Sequence, residues 1–138
     1  AFEQLGGADR CLEIARDFSL ERHAFGRPIG SFQAIKHKLA DVFIQNQLAR
    51  SNCYFGAWAM AADAPELPVA AAAARLCAGD AFWLAAKEGL HVHGGMGFTW
   101  ESDCQLFYRR AQHLALALGP ARAWKERLVG EVVRRRAA

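Results

Sequence analysis

An alanine-rich helical run, from about Val69 to Val92, stops at three glycines, Gly94, Gly95 and Gly97. Nothing else in the chain restricts the fold as strongly. Alanines on a helix face let neighbouring backbones come close, as they do inside a bundle. Glycine has no Cβ, so the backbone beyond the run can turn sharply or approach a ligand closely. An aromatic and acidic stretch, Phe98-Thr-Trp-Glu101, follows at once and reads as a helix start. No alternation of period two extends over a useful length, so the pattern predicts an all-α fold. Short loops between long amphipathic helices favour an up-down arrangement, an antiparallel four-helix bundle.

Four long helices and one short one account for the pattern. The first covers about residues 2 to 24, with Leu12, Ala15, Phe18 and Ser19 on one face; Gly26 and Pro28 end it. Ser31 is the expected N-cap of the second. There Phe32, Ile35, Leu39, Val42, Ala49 and Cys53 follow steps of three and four, and Asn46 interrupts the seam. Asp63-Ala-Pro-Glu-Leu-Pro68 is the clearest loop. A short helix is expected from about Glu101 to Gln112, and a last one from about Pro120 to Arg136.

With 138 residues, 53 % of them hydrophobic, the chain reads as one globular helical-bundle domain over 1–138. No apolar run approaches the roughly 20 residues of a membrane span. The net charge of +3 includes Arg134-Arg-Arg136 near the chain end, which suits a solvated helix terminus better than a nucleic-acid stripe. Cys11, Cys53, Cys77 and Cys104 are scattered without the spacing of a zinc or redox site, and a cytoplasmic setting is the expectation. Phe2-Glu-Gln-Leu-Gly-Gly-Ala-Asp9 has no N-cap pattern before its first apolar residue. The chain therefore reads as the back part of a longer protein.

Two elements carry candidate chemistry. Arg22-His-Ala-Phe-Gly-Arg-Pro-Ile-Gly30 puts a guanidinium near a helix C-terminus, where its planar fork can meet a phosphate or simply its own helix's last carbonyls. Three glycines within positions 94 to 97 exceed what an ordinary helix end needs, which makes close approach to a ligand credible. His91 and His93, two apart on a helix, point in different directions, and no further ligand set lies nearby, so no metal site is expected.

Residues His91-Val-His-Gly-Gly-Met-Gly-Phe-Thr-Trp-Glu101 and Arg109-Arg-Ala111, with Arg22 to Gly30 and Gln33, resemble the C-terminal helical domain of the acyl-CoA dehydrogenases. The likeness covers nearly the whole chain and implies the same antiparallel bundle. It implies FAD as cofactor and an acyl-CoA thioester as substrate. Arg22, Phe25 and Gln33 match residues that approach the diphosphate and adenine end of FAD. His91, Val92, His93, Gly94 and Gly95 match a turn that reaches across a subunit interface to a neighbour's adenosine half. The family more often has glutamine where His91 stands.

One position departs from the likeness. Aligning Arg109-Arg-Ala111 and Gly119 with the family pattern puts Leu118 where the catalytic glutamate belongs, and leucine cannot accept a proton. The resemblance leaves two routes to a base: a glutamate just before Ala1, or a partner subunit in a paired, heteromeric enzyme. The Gly-Phe-Thr-Trp-Glu wording around Trp100 is similar to bacterial members that include such pairs, known among steroid side-chain dehydrogenases. Glu101 fits a cap or ion pair at a helix start, and Glu3 is a weaker base candidate. The leading expectation is thus an FAD-dependent dehydrogenase domain that supplies flavin contacts and an oligomer interface. Its competitors are a non-catalytic pairing subunit and a flavin oxidase or monooxygenase of the same fold.

Overall fold

The computed structural model describes residues 1–137; Ala138, the last residue of the expected domain, lies outside the described residues. Among the described residues, five α-helices form the framework: α1 (Phe2–Glu21), α2 (Gln33–Ala61), α3 (Leu67–His93), α4 (Cys104–Ala117) and α5 (Ala121–Ala137). Short turns join successive helices, and α3 packs against each of the other four. The expected bundle is therefore present, with α3 as its axis.

Alanine is what lets α3 hold that position. Ala70, Ala72, Ala74, Ala78, Ala81, Ala85 and Ala86 are all buried, so small side chains line several faces at once and partner helices approach closely. Phe82 is the largest fully buried side chain among them. It fits because α1 carries Gly7 opposite: a Cβ there would stand 2.5 Å from the ring. The α2 seam forms as its spacing predicts, with Val42, Ala49 and Cys53 buried. Asn46, fully enclosed, donates from Nδ2 to Asp9 Oδ1 at 3.1 Å, and Arg50 reaches the other carboxylate oxygen at 2.7 Å. The interruption of the seam is thus a polar tie between α1 and α2.

Several boundaries differ from expectation for local reasons. Helix α1 stops at Glu21, short of residue 24, because His23-Ala24 and Arg27-Pro28 pair as a two-residue antiparallel ladder, a β element that the all-α reading did not include. Ile29–Ser31 then forms a 3₁₀ turn, which draws Ser31 inward; its hydroxyl is buried without a partner and caps nothing, and Phe32 is the residue preceding α2. Gly94–Phe98 is a second 3₁₀ turn. Thr99 donates its hydroxyl to the Met96 carbonyl at 2.9 Å, and Ser102 Oγ accepts from the Cys104 N–H at 3.3 Å. Short polar side chains that hydrogen-bond locally compete with helix, so α4 starts at Cys104 and not at Glu101. It then runs on through Leu114 and Ala115 to Ala117.

The expectation that no segment reaches membrane-span length also needs correcting. Among the described residues, Leu67–Phe98 is long and apolar enough to qualify, with a mean hydropathy of 1.3. Half of its most apolar stretch is buried inside the bundle, as in a core helix. Alanine is mildly apolar, so a long alanine run that packs closely is also apolar along its length.

Candidate functional site

Arg22 ends α1, and its backbone N–H donates to Phe18 O at 2.9 Å. Its guanidinium makes no hydrogen bond or ion pair among the described residues, so it does not serve its own helix's last carbonyls. The chain then reverses through Phe25 (φ 55°) and Gly26 (φ 78°). Two positive φ values are what a two-residue hairpin turn of type I′ requires. Phenylalanine there is an outlier, at a cost on the order of 1–2 kcal/mol. Phe25 is also 95 % exposed, with its ring edge-on to Phe32 at a centroid distance of 6.2 Å. A strained backbone that holds a large apolar side chain in solvent points to a contact made outside the chain.

Across from the hairpin stands the glycine turn. Arg22, Val92, His93, Gly94 and Gly95 gather around one cleft of about 370 Å³, together with Phe18, Ile29 and Met96. Five of the eight candidate residues therefore converge. Val92 is itself core, 5 % exposed, so only its edge and backbone reach the cleft. His93 is fixed in place: its ring stacks on Phe18 at 4.1 Å, and Nδ1 lies 2.8 Å from the Gly89 carbonyl. A carbonyl only accepts, so Nδ1 donates to it, and in the neutral form of the ring Nε2 is the acceptor. Phe18, Ile29 and Met96 are not among the candidates; the sequence places Phe18 only on one face of α1, which could not reveal its aromatic partner 75 residues away.

The three glycines divide by cause. Gly94 ends α3 at φ 59°, a conformation other residues rarely adopt. Gly97 is a packing glycine, since a Cβ would stand 2.9 Å from the Leu90 carbonyl. Gly95 has neither a positive φ nor any atom within 4 Å of a built Cβ. Among the described residues nothing requires glycine there, so the space it leaves open is available to an external group.

The other three candidates lie apart from the cleft. His91 turns into a neighbouring hollow of about 290 Å³ with Lys87, Leu90, Gly94, Phe98 and Tyr108. Its Nδ1 is 3.2 Å from Lys38 Nζ and 3.6 Å from the Glu88 carboxylate. Burial raises the Glu88 pKa, but the Lys38 hydrogen bond and the Lys38 and Lys87 charges outweigh it and hold the carboxyl below its ordinary value. Gln33 is exposed as the first residue of α2, and Phe25 stands at the hairpin tip.

Leu118 is the residue at which α4 ends, 66 % exposed, with Gly119 following at φ 89°. The turn is held by Trp124, whose Nε1 donates to the Leu118 carbonyl at 2.8 Å, while Arg127 lies over the indole at 4.9 Å. Of the other carboxylates considered, Glu3 is engaged by Arg110, whose Nε lies 2.8 Å away. Glu101 falls in the exposed turn before α4, held below its ordinary value by its own backbone N–H and then by the Thr99 hydroxyl. It therefore does not cap that helix.

Comparison with known proteins shows the family of the chain. Residues 1–131 match the family profile described as acyl-CoA dehydrogenase, C-terminal domain. The chain belongs to the acyl-CoA dehydrogenase family and is similar to the C-terminal domain of its members. It is 43 % identical over 134 residues to acyl-CoA dehydrogenase IpdE2 of Mycobacterium tuberculosis, an alignment that covers 96 % of the chain and 40 % of that relative. A solved variant of the Tcur3481-Tcur3483 steroid ACAD superposes with a TM-score of 0.92 at 30 % identity, over 98 % of this chain and 37 % of that one. The ChsE4-ChsE5 complex of Mycobacterium tuberculosis gives a TM-score of 0.88 at 32 % identity, over 94 % and 35 %. The chain thus spans about two fifths of the length of the relatives it matches. Family membership, with a flavoprotein among the structural neighbours, implies flavin use.

Proposed function

We propose that the chain is the C-terminal bundle of a longer, FAD-dependent enzyme that introduces a double bond α,β to an acyl-CoA thioester, and that it supplies flavin contacts and an oligomer interface. The observation that carries this reading is the cleft between Arg22 and Gly95. There an unengaged guanidinium, a histidine with a free acceptor and a glycine with open space above it face one another. Those are the groups a dinucleotide's phosphates and adenosine need, so the residues fit FAD. Arg22 would donate its planar fork to phosphate oxygens. Gly94 and Gly95 would let the backbone approach closely, His93 Nε2 would accept a hydroxyl or amino proton, and exposed Phe25 would cover an apolar edge. Gln33 and His91 lie at the margins of this set. When bound, FAD supplies the acceptor for the hydride that leaves the β carbon.

Leu118 takes no part in proton transfer in this scheme. Its side chain offers an apolar wall where relatives with a glutamate place the base. The base is then a carboxylate outside this chain, either upstream or on a partner subunit. The likeness to two structures that bear paired names, Tcur3481-Tcur3483 and ChsE4-ChsE5, supports the second source and with it a heteromeric assembly. The test is anaerobic bleaching of the flavin by saturated acyl-CoA thioesters in the complete protein, with and without co-expressed partner. Leu118→Ala should leave the rate within about tenfold of the parent, because no acid–base contribution of 10²–10⁴ is lost. Elimination of turnover by Leu118→Ala, with flavin and assembly intact, would contradict the assignment of that position.

A further inference from the structure

We propose that Arg75 is a positioning residue, reaching from α3 to the end of α4 to hold the Leu118–Gly119 turn where it meets the acyl-CoA. The proposal rests on the reading of Leu118 as a wall of the substrate pocket. Arg75 is 7 % exposed, and among the described residues no carboxylate pairs with it. A buried guanidinium is costly without a partner, and an apolar residue of similar size would serve stability as well or better. Its donors go instead to two consecutive backbone carbonyls: Nη2 lies 2.9 Å from Leu114 O and 2.9 Å from Ala115 O.

Those carbonyls belong to the last turn of α4, where a helix leaves C=O groups unpaired and carries the negative end of its dipole. Residue 118 follows within one helical turn. Two further ties meet there: the Trp124 indole on the Leu118 carbonyl, and the Gly119 N–H on Leu116 O at 3.0 Å. The α4–α5 connection is thus fixed from α3, α4 and α5 together. Room for the guanidinium comes from Gly79, where a Cβ would stand 3.0 Å from Arg75 Nη1. A cation that pins two adjacent carbonyls contributes geometry, and that geometry sets the placement of whatever side chain occupies position 118. Arg75 acts through that side chain on how the thioester is held, and takes no part in the bond changes.

The experiment uses the complete, flavin-loaded protein with Arg75→Met, Arg75→Lys and Gly79→Ala. Hydrogen exchange in the peptide that spans residues 114–120 should accelerate about tenfold in Arg75→Met while α1 and α2 amides keep their rates. Arg75→Lys, still a cationic donor, should recover part of that protection. KM for acyl-CoA should rise several-fold in Arg75→Met with kcat little changed, the pattern of lost uniform binding. Gly79→Ala keeps the guanidinium but displaces it, and should loosen the same peptide if Arg75→Met does not fold. Uniform acceleration across all helices, unchanged exchange at residues 114–120, or an unmoved KM alongside altered exchange each overturns the proposal. If the parent protein itself turns over no acyl-CoA, the dehydrogenase reading is what fails, and local exchange alone then decides whether Arg75 holds the turn.

Discussion

Gly6 and Gly7 are neighbours on α1 with opposite surroundings, and they show how far a single Cβ matters in this bundle. A Cβ at Gly6 meets nothing within 4 Å, whereas one at Gly7 would lie 2.5 and 2.6 Å from two atoms of the buried Phe82 ring. Gly6→Ala should therefore stabilise the protein by about 0.5–1 kcal/mol through helix propensity. Gly7→Ala forces the ring or the helix to move and should cost about 1–3 kcal/mol despite the same propensity gain. Paired urea melts of the two variants check both signs. The cysteines follow similar logic. Burial, with a smaller contribution from Cys104, pushes the Cys11 thiol up to about 12, which leaves it a packing group and not a nucleophile at neutral pH. The scattered spacing of the four thiols leaves them no zinc or redox pairing, and three of them are buried.

Between elements, Lys38 on α2 meets Glu88 on α3 at 2.5 Å, with Glu88 largely buried. Because the folded carboxyl is held below its ordinary value, its stabilisation is complete above the pKa of the unfolded chain. It is lost as pH falls through the lower folded value. Glu88→Gln should remove that component, lowering stability by about 1–3 kcal/mol at neutral pH while flattening the acid limb of the pH–stability curve. Thermal melts across the acid range in parent and variant read this directly. The pair was not legible in the sequence, because it joins residues 50 apart whose meeting depends on how α2 and α3 pack. The elements themselves were largely legible: apolar steps of three and four mark α2 as far as Cys53, and Pro68 marks the entry to α3. The hairpin at residues 23–28 escaped because two paired residues leave no period, and only Phe25 and Gly26 at positive φ reveal it. The late start of α4 escaped because Thr99 and Ser102 decide it through local hydrogen bonds, which composition does not register.

At the scale of the molecule, the outer side of α2 is unusually apolar. Phe43, Ile44, Leu48, Phe55 and Trp58 are all exposed, with Phe55 and Trp58 stacked at 5.7 Å. Contiguous apolar surface of this kind marks an interaction face, so the isolated 138-residue chain should self-associate at tens of micromolar. A single monomeric species in sedimentation velocity would count against it. Of the candidate site, the motifs located the cleft, since Arg22 and residues 92 to 95 do converge there. They did not separate the roles of the three glycines or send His91 to a different hollow, because spacing along a helix says nothing of what stands opposite. The central claim is that this convergence binds flavin. It is tested most directly by purifying the complete protein beside its Arg22→Ala variant and titrating each with FAD. The account predicts a yellow parent with stoichiometric flavin and a variant that loses affinity by roughly 1.5–3 kcal/mol, the worth of one charge-assisted contact. A parent that shows no flavin absorbance even with excess FAD would contradict it.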